Sequence, residues 1–425
     1  MWTRRSFLGA SSFALGALHA SSAAVAGQAP ATVAEDERYW RTVQDAFDVD
    51  RTLINLNNGN SSPAPRVVHE ACTRALDYSN RLPVYYRTLL EAKVDGIRQE
   101  LATTFGCDAE ELAITRNASE ALHTVQCGLD LRQGDEVVTT DQDYSRMLWA
   151  WDQRVRRDGI VLRRIQFPVP TTSDDLMRRF EQAIPPRTRV LHFCHMTNIT
   201  GQLFPVLELS RLARSRGILT IVDGAQAIAH FPFTLRELEC DFYGTSLHKW
   251  LMAPHGTGFL YMRREHIERL WPLQPAINSE RNNIRKFEEI GTHPAGAVAA
   301  IPDALAFHRA IGGERKAARL RYLTLRWANA LRSNPRVTLL TNLDAGQSWG
   351  LATARFEGID VRALERFLLD KHRIVIAAEY TQGVPGPVIP FDGLRVTPSV
   401  YTTLDEIDRF VAAMEDVLKN GLRAI

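Results

Sequence analysis

The sequence predicts an α/β protein: a mostly parallel central sheet flanked by helices, followed by a smaller C-terminal α+β domain. Two observations carry this expectation. From about Leu53 to Thr292, short apolar runs alternate with longer helical patterns, as the strands and crossover helices of a parallel sheet do. Past residue 300 that alternation gives way to a long helical stretch followed by shorter strand-like and helical segments. At 425 residues the chain also exceeds what one hydrophobic core usually organises. The expected division is a leader over 1–26, a tether and N-terminal helix over 27–52, a large domain over 53–300 and a small domain over 301–425.

Taken in order, Thr3-Arg4-Arg5-Ser6-Phe7-Leu8 precedes a mildly apolar stretch rich in Ala and Ser, which closes on Ala24-Val25-Ala26. This is the pattern of a twin-arginine signal with a small-x-small cleavage site, and it predicts export to the periplasm through the twin-arginine translocase. A short apolar helix with two surface arginines is the plainer alternative. Gly27 to Asp36 reads as a polar tether, and Tyr39, Trp40, Val43 and Phe47 then recur at helical spacing. Buried strands are predicted at Glu111–Thr115, Glu136–Thr140, Val190–His195, Leu219–Asp223, Asp241–Thr245 and Gly258–Met262, with helices such as Ser119–Gly128 and Val206–Arg216 between them. In the small domain the pattern predicts a helical stretch over Pro302–Ser333, strands at Val337–Leu340 and Leu351–Phe356, and helices at Val361–Lys371 and Leu404–Leu418.

Composition excludes several classes. Apolar residues at 45% and charged residues at 24% suit a globular chain, and the net charge of +2 is spread without like-charge blocks, so no nucleic-acid partner is expected. No segment approaches the roughly 20 apolar residues of a membrane span, so no stable membrane anchoring is expected. The five cysteines lack metal-ligand spacing, which predicts neither a metal site nor a disulfide framework.

Ligands of open α/β sheets bind beyond the C-terminal strand ends, so polar residues there are the candidates for chemistry. Ile218-Leu-Thr-Ile-Val-Asp223-Gly-Ala-Gln226 is an apolar strand stopping at a carboxylate. Such an Asp either caps a following helix or pairs with a protonated ring nitrogen, with Gln226 near the same ring. Asp241-Phe-Tyr-Gly-Thr-Ser-Leu-His-Lys249 is a second strand, leaving through hydroxyl residues into a lysine. Held beside a sheet crevice, Lys249 is a Schiff-base former; in a solvated loop it is an ordinary surface cation.

Asp223, the Ser-x-His-Lys strand end and Gly256-Thr-Gly258 together resemble the class V aminotransferase family, a branch of the fold-type I enzymes that use pyridoxal 5′-phosphate (PLP). The resemblance spans almost all of the chain after the leader. It implies PLP held as a Schiff base on Lys249, with its phosphate at Ile114-Thr-Arg-Asn-Ala-Ser-Glu120 on the N–H groups of Ala118 and Ser119, the Ser119 hydroxyl and a helix dipole. Ser246 and His248 match further phosphate positions. Tyr144, after Thr140-Asp-Gln-Asp, matches the aromatic stacked on the ring, and Asn198 in His195-Met-Thr-Asn the contact to the ring oxygen. Gly291-Thr292 is similar to the Gly-Thr that reaches the neighbouring subunit's phosphate, which implies a homodimer with shared sites. Arg395, in Leu394-Arg395-Val-Thr-Pro-Ser-Val-Tyr401, matches the clamp on the substrate carboxylate. Loading PLP in the cytoplasm also suits export in a folded state.

The family's sulfur-removing members carry a cysteine on a small-domain loop, whereas here none follows Cys240, so desulfuration by that route is not expected. Around Ile376-Ala-Ala-Glu379 many relatives have an arginine and this chain has none. Leu53-Ile-Asn-Leu-Asn-Asn-Gly-Asn60 and Arg81-Leu-Pro-Val-Tyr-Tyr-Arg87 resemble substrate-side loops of the isopenicillin N epimerase-like branch and of exported pyoverdine-tailoring enzymes. Asn58 and Tyr86, with Tyr85 and Arg87 beside it, are therefore substrate-side candidates, although two tyrosines opening a helix also suit a core. The resemblance implies transamination or a related conversion of an amino acid or peptide-bound amino acid, with epimerisation or racemisation as the alternative. A non-catalytic binding protein on the same fold would be expected to have lost the lysine or its partners, and these are all present.

Overall fold

The structure is a computed structural model that describes residues 15–380 and 392–422. Its centre is a seven-stranded sheet of β2 (Leu112–Thr115), β3 (Glu136–Thr140), β4 (Val161–Ile165), β5 (Thr188–Cys194), β6 (Leu219–Asp223), β7 (Phe242–Ser246) and β8 (Gly258–Met262), in the order β2-β8-β7-β6-β5-β3-β4. Only β8 runs against its neighbours, pairing antiparallel with both β2 and β7. The other six point the same way, so their C-terminal ends share one edge.

Successive residues of these strands enter two different cores, because strand side chains alternate between faces. Leu191, Phe193, Val222, Tyr243 and Phe259 join one cluster, while Val190, Ile221, Phe242 and Leu260 join another across the sheet. Burying each such side chain contributes roughly 1.5–3 kcal/mol. Burial on both faces is why these strands read as continuous apolar runs. Strand β4 escaped the sequence reading because it is an edge: Arg163 pairs with Glu136 and Arg164 with Asp152, so its alternation looks like surface.

The small domain carries a four-stranded antiparallel sheet, β12 (Ala377–Tyr380), β13 (Asp392–Val396), β10 (Ala352–Phe356) and β9 (Val337–Leu339), with its own core around Leu323, Trp327, Leu394 and Phe410. The helical stretch from 302 to 333 is two helices, Ile301–Ile311 and Gly313–Leu331, broken at Gly312, whose φ of 89° only glycine adopts readily. A two-stranded parallel pair, β1 (Ile54–Asn55) with β11 (Ile374–Val375), joins the start of the large domain to the small one. Residues 54–56 thus pack with the small-domain core rather than with the large domain that the sequence assigned them to.

The N-terminal region departs further from expectation. The stretch read as a tether contains the helix Pro30–Glu35, whose Val33 and Ala34 are buried; Val33 belongs to the main core, and its carbonyl accepts the Trp40 indole N–H at 2.7 Å. Residues 1–14, which hold Arg4 and Arg5, lie outside the described residues. Residues 15–24 are helical and also docked: Leu18 and Val25 enter the main core, and the Ser22 hydroxyl donates to the Ala310 carbonyl at 2.6 Å. Among the described residues no helix is long and apolar enough to cross a membrane, and the five cysteines are free thiols.

Candidate active site

Five strand ends and one small-domain strand build a cavity of about 290 Å³. Strand β6 delivers Asp223, and β7 delivers Ser246 followed by His248 and Lys249. The segment after β5 brings Asn198, and that after β3 brings Tyr144. Beyond β2 the helix Ala118–Gly128 begins with Ala118 and Ser119, and β13 contributes Arg395. All of these, with Gln226, line the cavity. Residues 118 to 395 meet because the parallel strands release their chain at one edge.

Asp223 and Lys249 are electrostatically coupled there. Burial pushes the Asp223 carboxyl up to about 6, with the Lys249 charge opposing the rise. Burial likewise draws the Lys249 ammonium down to about 8, with Asp223 opposing and Arg395 reinforcing the fall. Both groups therefore sit where a proton can be gained or lost near neutral pH. Asp223 caps no helix: its Oδ1 accepts the Ala225 N–H at 2.9 Å and the chain continues as turns.

At the helix start, Asn117 is the cap, its side chain accepting the Glu120 N–H at 2.9 Å, so Ser119 is not spent on that task. The Ala118 N–H, expected to face a phosphate, donates instead to Ser246 Oγ at 2.9 Å and ties the two strand ends together. Gly258 lets β8 pass beneath: a Cβ there would lie 2.7 Å from Asn117 Cα. Burial pulls His248 down to about 4, which keeps its imidazole neutral.

Tyr144 lines the cavity and carries Arg146 on its ring, the guanidinium 5.3 Å from the centroid and bonded to the phenol oxygen. Gln226 is committed at both ends, donating to the Gly59 carbonyl at 2.8 Å and accepting from the Trp250 indole at 2.9 Å, so the wall and not the ring edge takes its hydrogen bonds. Arg395 donates to the Asn198 carbonyl and to Asn57 Oδ1, each at 2.8 Å, and pairs with Glu379 at 2.7 Å.

Residues 54–410 match the family model for aminotransferase class V. The chain belongs to the class V aminotransferase family. It is 32% identical to an isopenicillin N epimerase of Streptomyces clavuligerus over 88% of this chain and 98% of that protein, and 31% identical to one of Amycolatopsis lactamdurans over 89% and 99%. Among solved structures, a C-DES variant with glycine covalently linked to its PLP cofactor superposes with a TM-score of 0.75 at 23% identity, covering 86% of this chain and 97% of that one. The protein is accordingly a PLP enzyme of the class V aminotransferase fold.

The cavity suits that cofactor. Asn198 Oδ1, His248 Nδ1 and Arg395 Nε are buried without a hydrogen-bond partner among the described residues, and all three residues line it. A buried polar group left unpaired costs about 1–3 kcal/mol, which a polar ligand recovers.

Two of the substrate-side candidates, Asn58 and Tyr86, do not line this cavity. Asn58 is fully buried in a structural knot, accepting from the Tyr401 hydroxyl at 2.7 Å and donating to the Thr397 carbonyl at 3.0 Å; its neighbours Gly59 and Asn60 face the cavity and Asn57 holds Arg395. Tyr86 and Thr292 line a second cavity of about 710 Å³, where Tyr86 is buried and Thr292, which the resemblance assigns to a neighbouring subunit's phosphate, is exposed. Sequence reasoning missed Arg146, Asn57 and Glu379. The arginine, the asparagine and the glutamate carry no motif, although Arg146 lies only two residues past Tyr144.

Proposed function

We propose that this enzyme is an aminotransferase acting on the amino group of an amino acid or peptide-bound amino acid, with Lys249 as the residue that carries the cofactor and moves the proton. The observation that supports this most directly is the coupled pair: a buried carboxyl and a lysine amine drawn down to about 8 in one cavity. When bound, PLP supplies the sink for the electron pair left as the substrate Cα–H bond breaks. Asp223 is suited to keep a ring nitrogen protonated, Tyr144 to lie against the ring, and Ser119, Ser246 and His248 to hold the phosphate. Arg395 receives the carboxylate beside the reacting amine. Lys249, once free, takes the Cα proton as general base.

Where that proton returns decides the reaction. Transfer needs one amine working on one face, and among the titratable lining residues Lys249 is the amine placed near neutrality, while His248 is held neutral and burial drives the Cys194 thiol far up. Epimerisation needs a donor on the opposite face, and the two epimerase relatives keep it as the second reading. Conversion in heavy water separates them: a keto product and stoichiometric pyridoxamine form support transfer, whereas α-deuteration with inversion and no keto product supports epimerisation. Purified protein supplied with PLP is expected to be yellow, and Lys249→Ala to lose the borohydride-trapped adduct at that residue. A colourless wild type refutes the reading.

Two further elements belong to this proposal. The enzyme acts as a homodimer in which Thr292 serves the partner's phosphate site, supported by Thr292's exposure away from its own Lys249. It is exported to the periplasm by its twin-arginine leader, supported by the Arg4-Arg5 motif and the Ala24-Val25-Ala26 site. Loss of periplasmic protein on Arg4→Lys/Arg5→Lys tests the second.

A further inference from the structure

Three cations line the Lys249 cavity, and they are not equivalent. Lys249 is balanced by Asp223, and Arg395 is held by Glu379 at 2.7 Å. Arg146 makes no ion pair among the described residues. It sits exposed at the first turn of the helix Ser145–Asp158, its guanidinium laid over the Tyr144 ring at 5.3 Å and donating to the Tyr144 hydroxyl. Among the described residues no carboxylate other than Asp223 lines the cavity, and Glu379 pairs with Arg395 from outside that lining, so Arg146 is the cation left without an acid. The aromatic face orients the guanidinium without neutralising it, leaving donors for an outside anion.

We propose that Arg146 binds a second anionic group of the substrate, so that the preferred amino donors are dicarboxylic: one carboxylate next to the amine at Arg395, the other at Arg146. This deepens the aminotransferase reading and rests on it. A charge-assisted, two-pronged contact of guanidinium with carboxylate discriminates against a neutral amide of the same shape. Tyr144 then has two tasks, lying against the ring and aiming Arg146, which makes the side chain after Tyr144-Ser145 a specificity determinant.

The test compares glutamate with its neutral isostere glutamine on the PLP-loaded enzyme, following the change in cofactor absorbance as each is titrated. Wild type is expected to bind glutamate about tenfold or more tightly than glutamine, Arg146→Gln to bring that ratio to about one, and Arg146→Lys to keep part of it. A ratio unchanged in Arg146→Gln, or a wild type that prefers glutamine or answers to neither, overturns the proposal while the yellow colour keeps the cofactor reading intact. The PLP concentration needed for half-maximal colour is measured alongside. If Arg146→Gln raises that concentration about tenfold and leaves the ratio alone, the residue serves the cofactor phosphate and the proposal fails.

Discussion

Glu379 and Arg395 form an ion pair across neighbouring strands, the Arg395 Nη1 lying 2.7 Å from the Glu379 carboxylate, and of the two Arg395 lines the Lys249 cavity. The register of β12 against β13 places Ala377 opposite Arg395, so Glu379, two residues on, meets the guanidinium from the same face. On the proposed reading of Arg395 as the carboxylate clamp, a substrate would compete with, or displace, a carboxylate the protein already provides. Glu379→Ala is expected to lose about 3 kcal/mol of stability, the usual cost of stranding one partner of a buried pair, read by denaturant melts. Glu379→Gln keeps the shape and frees the guanidinium; its KM for the amino donor is expected to fall severalfold.

Cofactor capture should follow the Lys249 amine. The neutral amine attacks the aldehyde, and burial places its titration at about 8 in the empty protein. Below that pH the rate of colour formation on mixing apoenzyme with PLP is expected to drop about tenfold per unit, and above it to level off. A rate still climbing tenfold per unit at pH 10 would contradict the cavity's electrostatics.

Asp223 gives the apoenzyme a pH-dependent stability of known sign. Its folded pKa, about 6, lies above the ordinary carboxyl value of 3.8, so between those pH values the native state holds a proton that the unfolded chain has released. This stabilisation is complete below 3.8 and is lost as pH rises through about 6, by at most about 3 kcal/mol. Asp223→Asn should remove that slope, so that the difference between variant and wild-type stabilities changes between pH 3.8 and about 6.

Leu82, Val84 and Tyr85 leave 53%, 81% and 56% of their surface exposed at the start of the helix Pro83–Phe105, beside the cavity that holds Thr292. Covering them is what a second copy would accomplish. Val84→Glu is expected to shift the sedimentation profile from dimer to monomer and to weaken PLP retention; a variant that stays dimeric and yellow removes this face from the assembly.

Under the export proposal, release of the N-terminal segment would undo packing. Leu18 is fully buried, and its replacement by Ala should lower the stability of the full-length chain by about 2–3 kcal/mol while leaving a chain that starts at Gly27 unaffected by definition. The informative comparison is thermal: the shortened chain should melt below the full one if residues 15–26 stay docked as described.

The primary structure alone determined the parallel sheet and the chemistry at its edge. Strands buried on both faces must be unbroken apolar runs, so Asp223 and the Ser246-to-Lys249 exit stand out where each run stops. Tertiary structure alone decided the rest. Edge strand β4 hides behind Arg163 and Arg164, the supposed tether is held by Val33, and the choice of Asn57 over Asn58 turns on which face of an extended segment meets Arg395, a contact spanning 338 positions. Arg146 acquires meaning only once Tyr144, Asp223 and Arg395 are seen in one wall, with Glu379 paired to Arg395 behind it. Local pattern records how much of a side chain is buried; which charges face one another depends on long-range packing, and specificity is written there.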